Sequence, residues 1–295
     1  MINVLYCGDI NTRKGIALSI ISLTEHVSAP LRIFIMTMGR DIPEKKISRT
    51  FNIEKAFAPG EERTLRSVVP IDTGFASYMD GLVRKTNPGS SVELIDATPL
   101  FDTCIPEANM DTRFTPCCML RLYADLVVPA LPDRMLYLDY DVLCRKDFTD
   151  YYMSEMGDYE FFATLDYYGK WFYSRPGNRY VNSGVMLMNL ARMRETGFFA
   201  SCRELCRTRR LFLPDQHAIN RCRTKRKVVS HIYNSQKKVC ADTVFHHFST
   251  TLRFIPPGMQ SIKPWEKEKL HDVLHIHEYD PLLDRLEAVV SDLNL

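Results

Sequence analysis

The chain has 295 residues, a formal net charge of +2, and 45% hydrophobic and 25% charged residues. It is long enough for one large α/β domain or two small ones, and its near-neutral balance gives no global case for nucleic acid or membrane as a partner. No apolar run approaches the length of a membrane span. The nine cysteines are scattered without zinc-site pairing and read as small buried hydrophobes in a reducing compartment, which suggests the cytosol.

The N-terminal stretch has neither a basic flank nor a long apolar core, so Ile2–Tyr6 reads as a first strand rather than a secretory signal. Cys7-Gly8-Asp9 ends it, and Ile16, Ile20, Leu23 and Val27 then recur at helical spacing. Leu31–Met36 returns to the sheet, which completes the opening of a nucleotide-binding α/β unit. The intervening turn lies where open α/β sheets bind ligands. Asp9 and Asn11 there suit a base or ribose, although the same residue types serve any turn.

Residues 40–70 are irregular and broken by Pro43, Pro59 and Pro70. Phe75, Met79, Leu82 and Val83 predict a helix closed by Asn87-Pro88-Gly89, Val92–Ile95 a strand, and 98–112 a loop. Thr115-Pro116 reads as a helix start with a capping hydroxyl. Met119, Leu122, Tyr123 and Leu126 form that helix's buried face, and Arg121 among them requires an anionic partner, a structural carboxylate or a ligand phosphate. Pro129–Pro132 ends the helix.

The run Met135–Leu138 is apolar and ends in Asp139-Tyr140-Asp141. On an extended backbone, acids two residues apart leave on the same side. Their repulsion is relieved by a hard divalent ion, which keeps open positions for phosphate oxygens; an acidic turn is the plainer alternative. Phe161–Leu165 predicts a further strand with Asp166 at its end, followed by an aromatic loop containing Tyr167, Tyr168, Trp171, Phe172 and Tyr173. Those rings suit sugar or base faces, or a core.

Tyr180–Leu190 reads as a turn entering a buried strand with Asn182 at its polar edge, then a helix ending at Thr196-Gly197. Asp215 is placed as the N-cap of the next helix. Arg203 to Lys227 is a basic region, either a solvated face or an attractor of anions. His246 and His247 sit in an apolar run, where one of them is a plausible third metal ligand. His271, His275, His277 and Glu278 form a second, solvated cluster. Asp280-Pro281 starts a terminal helix, with Leu282, Leu283, Leu286 and Val289 on a face expected to pack back onto the domain; homo-oligomerisation through that face is the alternative.

Taken in order, Cys7-Gly8-Asp9-Ile10-Asn11, Arg121-Leu122-Tyr123, Tyr137-Leu138-Asp139-Tyr140-Asp141, Asn182-Ser183-Gly184-Val185, Asp215-Gln216, His247 and Lys263-Pro264-Trp265 resemble glycosyltransferase family 8. The family resemblance implies a GT-A fold, that is, a mixed, mostly parallel sheet flanked by helices. It implies a retaining transfer of galactose or glucose from a UDP-sugar to a saccharide or glycoconjugate, with Mn2+ (or Mg2+). It covers about residues 1–265, leaving 266–295 as a C-terminal helical extension.

Carried over by position, Asp139, Asp141 and His247 hold the metal. Cys7, Asp9 and Asn11 meet the uridine, with Tyr140 also on the donor. Arg121 lies near the diphosphate and donor sugar, Asp166 and Asn182 near the sugar, and Lys263 on the phosphates. Asp215 bonds sugar hydroxyls, and Gln216 faces the reacting carbon opposite the leaving UDP. This chain departs from the family pattern in the long spacing from His247 to Lys263, with Arg253 between, and in His217 after Asp-Gln where the family often has an acid.

Two other readings share the acidic motif. A haloacid-dehalogenase-type phosphatase also has Asp-x-Asp-x-Val/Thr after a strand, but there the motif opens the domain. A non-catalytic nucleotide-sugar-binding protein would keep the fold without turnover.

Overall fold

The computed structural model describes residues 1–295 apart from 43–44, 48–62, 66, 113, 128–129, 175, 177–178, 238 and 255–256; for 45–47, 63–65, 171–172, 251–254 and 257–259 it describes the backbone alone. Pro43, Pro59 and Pro129, and the side chains of Trp171, Phe172 and Arg253, lie outside the described residues.

Seven strands form the central sheet: β1 (Ile2–Cys7), β2 (Leu31–Thr37), β3 (Ser91–Asp96), β4 (Arg134–Leu138), β5 (Phe161–Ala163), β6 (Val185–Asn189) and β7 (Arg226–Val228). Their spatial order is β7-β5-β6-β4-β1-β2-β3. All neighbours run parallel except β6, which is antiparallel to both β4 and β5. This is the mixed, mostly parallel sheet of a GT-A fold. The chain leaves β1 towards β2 on one side and returns at β4 on the other. The carboxyl ends of β1 and β4 therefore flank a topological switch point, where such sheets bind ligands.

Period-two alternation splits the core into two layers. Val4 and Tyr6, Ile33 and Ile35, Leu136 and Leu138, and Val185 and Leu187 enter one apolar cluster. Leu5 and Cys7, Phe34 and Met36, Met135 and Tyr137, and Met186 and Met188 enter the other. The first layer is covered by α1 (Arg13–His26), α2 (Thr73–Thr86) and the terminal helix Asp280–Leu293. The second is covered by residues 116–126, α3 (Leu190–Thr196), α4 (Phe198–Thr208) and α5 (Pro214–Arg221). Leu282, Leu283, Leu286 and Val289 of the terminal helix share the first cluster with Ile16, Ile20 and Leu23 of α1, so this helix packs back onto the sheet layer.

Several local expectations are corrected. Residues 98–112 contain a short helix, Thr98–Asp102, and a 3-10 turn, Glu107–Asn109. Residues 116–126 form a 3-10 helix, and Thr115 makes no side-chain cap. The cap of α5 is Leu213, with Asp215 in the first turn; Tyr279, not Asp280, precedes the terminal helix. Pro at the first helical turn marks all three starts, and the acids beside Pro214 and Pro281 are drawn to partners outside the cap. Asp215 faces Arg121 and Asp280 faces His271.

Two buried serines of α1 reach across the first layer. Ser19 donates to the Val142 carbonyl at 2.7 Å, and Ser22 accepts from the Cys144 amide at 2.9 Å. They fasten the short strand Val142–Cys144, which follows the acidic motif. That strand pairs antiparallel with Phe245–His247, in a register that sets His247 opposite Val142 and His246 opposite Leu143.

Candidate active site

The acidic motif is not on an extended strand. β4 ends at Leu138, and Asp139 to Val142 makes a turn closed by Val142 N–H donating to the Asp139 carbonyl at 3.1 Å. The turn still turns both acids inward, and the pairing of Val142–Cys144 with Phe245–His247 brings an imidazole to them. His247 Nε2 lies 3.3 Å from Asp141 Oδ1 and 3.8 Å from Asp139 Oδ2. Ligand atoms of Asp139, Asp141 and His247 all fall within 4.8 Å of one another.

The adjacent histidines are sorted by this register. A shift of one residue along a strand sends a side chain to the opposite face. His246 points away and bonds the Tyr279 hydroxyl at 2.8 Å, and burial pulls its pKa down to about 3.

Gly184, at the mouth of β6, is where the turn and the imidazole come closest. A Cβ there would sit 2.3 Å from His247 Cε1 and 2.8 Å from Asp139 Oδ2. The Gly184 carbonyl also accepts from the Asp139 amide at 2.8 Å. Only glycine leaves room for this cluster. In the sequence it is one letter of the Asn182–Val185 motif, with no role of its own.

Two cations sit against the acids. Lys263 Nζ is 2.5 Å from Asp141 Oδ2. Burial acts to raise the pKa of the Asp141 carboxyl, but Lys263 and His247 outweigh it and hold the acid well below the usual range. Burial acts to lower Lys263, and Asp141 more than reverses this. Arg121 is buried on the 3-10 helix. It donates to Asp139 Oδ1 at 2.7 Å, to the Ser183 carbonyl at 2.7 Å and to the Cys118 carbonyl at 3.1 Å. Its Nε is 3.3 Å from Asp215 Oδ2, and its guanidinium lies over the Tyr137 ring. Burial raises the Asp215 carboxyl, with Arg121 opposing. Arg121 thus has the anionic partners its apolar setting demanded.

A further set of polar groups adjoins these. Gln216 Oε1 accepts from the Ser183 amide at 3.1 Å, and its Nε2 donates to Asp166 Oδ2 at 3.2 Å. Asn182 Nδ2 donates to the same Asp166 oxygen at 2.9 Å. Tyr180 OH meets His217 Nδ1 at 2.9 Å, and burial, with Arg221 adding to it, pulls the His217 pKa down to about 4.

On the β1 side, Cys7 is buried at the strand end, and burial pushes its thiol up to about 12, against the influence of Arg121. Asp9 caps the 3-10 turn Ile10–Thr12 by accepting from the Asn11 amide at 2.9 Å, while the Asn11 residue itself is exposed. Tyr140 packs against Trp265 with centroids 5.9 Å apart. Both rest on Gly15, where a Cβ would lie 2.6 Å from the Trp265 ring and from the Tyr140 carbonyl.

The other candidates lie outside this cluster. Arg203 pairs with buried Asp125, Arg207 with Glu204, Arg210 with Asp111 and Lys225 with Asp158, so these members of the basic stretch are neutralised where they stand. In the C-terminal cluster, His271 and His277 come together with Asp280. His271 is already bonded to Asp280 at 2.7 Å. His275 turns to the His271 carbonyl and Glu278 to Arg145, so those two do not join the cluster.

Residues 3–268 match the glycosyl transferase family 8 profile. No curated protein sequence matches the chain. Among solved structures it is similar to galactosyltransferase LgtC in complex with donor and acceptor sugar analogs, at 14% identity and a TM-score of 0.64, over 97% of this chain and 96% of that one. It is similar to the glycosyltransferase GlyE of Streptococcus pneumoniae TIGR4, at 15% identity and a TM-score of 0.58, over 97% of this chain and 63% of that one. Mouse xyloside xylosyltransferase 1 follows at 13% identity and a TM-score of 0.53, over 83% of this chain and 96% of that one. These structural likenesses establish the GT-A architecture, and the profile spans the strand ends, the acidic turn and the cationic residues just described. The chain belongs to glycosyltransferase family 8.

Proposed function

We propose that this glycosyltransferase moves a hexose, galactose or glucose, from a UDP-sugar to a saccharide or glycoconjugate acceptor with retention of anomeric configuration. Asp139, Asp141 and His247 would hold a divalent ion, Mn2+ or Mg2+. The observation that carries the proposal is the convergence of these three side chains within 4.8 Å, at the switch point of the sheet and beside Lys263 and Arg121. Two carboxylates and an imidazole are a donor set that a divalent ion such as Mn2+ accepts, and they leave coordination positions for phosphate oxygens. When bound, such an ion supplies Lewis-acid stabilisation of the charge that develops on the departing UDP.

The chain's own residues supply the rest. Lys263 and Arg121 bring fixed positive charge to the edge of the site, where the diphosphate would lie, and preorganised charge of this kind lowers the barrier to leaving-group departure. Cys7, Asp9, Asn11 and Tyr140 border the uridine side. Asp166 and Asn182 border the donor sugar, and Asp215 is placed for its hydroxyls.

The amide of Gln216 is a poor nucleophile, and its hydrogen bonds to Ser183 and Asp166 fix its orientation. The acceptor therefore attacks on the face that UDP leaves, with Gln216 stabilising the oxocarbenium-like species from the other side. A second LgtC structure carries an active-site Gln-to-Glu change, which places a glutamine in that neighbour's active site. Residues 1–265 would carry these functions, with 266–295 as a helical extension, in the cytosol on the evidence of cysteine usage.

The test is a panel of UDP-sugars incubated with Mn2+ or with chelator, reading UDP release and, with a sugar acceptor, the anomeric configuration of the product by NMR. Metal-dependent release from one UDP-hexose and an α-linked product from an α-donor are expected. A β-linked product, or no release from any donor, refutes the reading.

A further inference from the structure

Asn234 belongs to none of the sequence motifs, yet it is 1% exposed and sits between the imidazole and the donor-sugar side of the site. Its Oδ1 is 3.0 Å from His247 Nδ1, and its Nδ2 is 2.8 Å from Asn182 Oδ1. Asn182 continues the line, donating through Nδ2 to Asp166 Oδ2 at 2.9 Å. Nothing in the family resemblance carried over a role for this residue.

The direction of each bond in this line is fixed from the far end. The Asp166 carboxylate only accepts, so the group Asn182 presents to it must be the amide NH2. The Gly184 backbone N–H, which only donates, fixes the other end of the same side chain, at 2.9 Å from Asn182 Oδ1. A flipped Asn182 would set oxygen against carboxylate and NH2 against N–H. With Asn182 Oδ1 facing it, Asn234 must present its own NH2 there and turn its oxygen to His247. An amide oxygen only accepts. His247 Nδ1 must therefore carry a proton, and in the neutral imidazole the Nε2 lone pair is then aimed at Asp139 and Asp141.

We propose that Asn234 is a positioning residue. Through Asp166 and Asn182 it holds His247 as the Nδ1–H tautomer, so that Nε2 is free to bind the divalent ion. The proposal rests on the metal site put forward above. Histidines that bind metals are commonly held in this way by an acceptor on the second ring nitrogen, and loss of that acceptor weakens metal binding by about 10–100-fold. The relay also makes one hydrogen-bonded unit of the metal ligand and the residues that border the sugar. Gln216 and Asn182 share the same Asp166 oxygen.

The test has two independent readouts. The first is the tautomer of His247 in chelator-treated protein at pH 8.5, from two-bond 15N–1H NMR of the imidazoles, assigned by the signal that disappears in His247→Gln. The second is Mn2+ affinity, from electron paramagnetic resonance of free Mn2+. The expected result is an Nδ1–H tautomer in the unaltered protein, a mixed or Nε2–H signal in Asn234→Leu, and about 10–100-fold weaker Mn2+ binding in that variant. Asn234→Asp keeps an acceptor facing His247 but loses the donor to Asn182 Oδ1, so it should retain the Nδ1–H tautomer while breaking the link to Asn182.

An Nε2–H tautomer in the unaltered protein overturns the proposal without any variant having to fold. Unchanged Mn2+ affinity in a folded Asn234→Leu protein also overturns it. Unaltered protein that shows the Nδ1–H tautomer, lost in Asn234→Leu, but binds no Mn2+ upholds the relay and refutes the metal site.

Discussion

Gly184→Ala tests the architecture of the site with a single methyl group. The new Cβ would lie 2.3 Å from His247 Cε1, 2.8 Å from His247 Nδ1 and 2.8 Å from Asp139 Oδ2. Carbon contacts settle near ~3.5–4.0 Å, so the imidazole must retreat by roughly 1 Å. It has little freedom to do so, because Asn234 holds Nδ1 and the pairing with Val142 holds the backbone. Metal–ligand distances tolerate only about 0.2 Å. Overpacking of a rigid site costs on the order of 1–3 kcal/mol of stability, which a chain of this size survives. The expected outcome is a folded protein with a slightly lowered melting temperature, at least about 10-fold weaker Mn2+ binding by calorimetry, and transfer reduced to a few per cent. Metal affinity and turnover equal to those of the unaltered protein would show that His247 and Asp139 do not act together on one ion.

Three further outcomes follow from the same geometry. Asp141→Ala should abolish Mn2+-dependent UDP release while leaving far-UV circular dichroism unchanged; activity at the original level would remove Asp141 from the ligand set. Arg121→Ala leaves the buried acids Asp139 and Asp215 without their shared cation, so it should cost on the order of 3–5 kcal/mol of stability and weaken donor binding, both measurable by urea melts with and without UDP. His217 has a folded pKa near 4 against an ordinary 6.5, so the unfolded chain takes up its proton first as pH falls. Its contribution, roughly 3 kcal/mol, is complete above about pH 6.5 and lost as pH drops towards 4. Urea midpoints of His217→Phe measured at pH 7 and pH 4.5 should therefore differ by less than those of the unaltered protein, and equal differences refute the assignment.

How far the sequence could be read depended on the range of the interaction. The strands β1, β2, β4 and β6 were legible because buried strands write themselves as apolar runs, and the turn acids stood out at the end of one of them. The terminal helix was legible from the spacing of Leu282, Leu283, Leu286 and Val289. Cap residues were misjudged where a polar side chain had a better partner elsewhere. Asp215 is the clear case, since a local rule places it at the cap and a residue 94 positions upstream in sequence, Arg121, holds it instead. The 3-10 winding of residues 116–126 has no signature in composition. Within it Arg121 reaches back to the Cys118 carbonyl while the same guanidinium bonds Ser183 and Asp139, contacts that no local pattern announces.

The residues that assemble the site were harder to see than the residues that occupy it. Asp139, Asp141 and His247 announce themselves by chemistry, yet a choice between His246 and His247 cannot be made from two adjacent letters. It is made by the ladder between Val142–Cys144 and Phe245–His247, and that ladder stands where it does because Ser19 and Ser22 bind the first of its strands. Slipping the ladder by one residue would exchange the two imidazoles, bringing to the acids the ring now bound by Tyr279. A pair of serines on α1 therefore fastens the strand against which the two histidines are registered. Such positions read as indifferent core residues in any one sequence, because what they determine is register, and register is a relation between segments about a hundred residues apart.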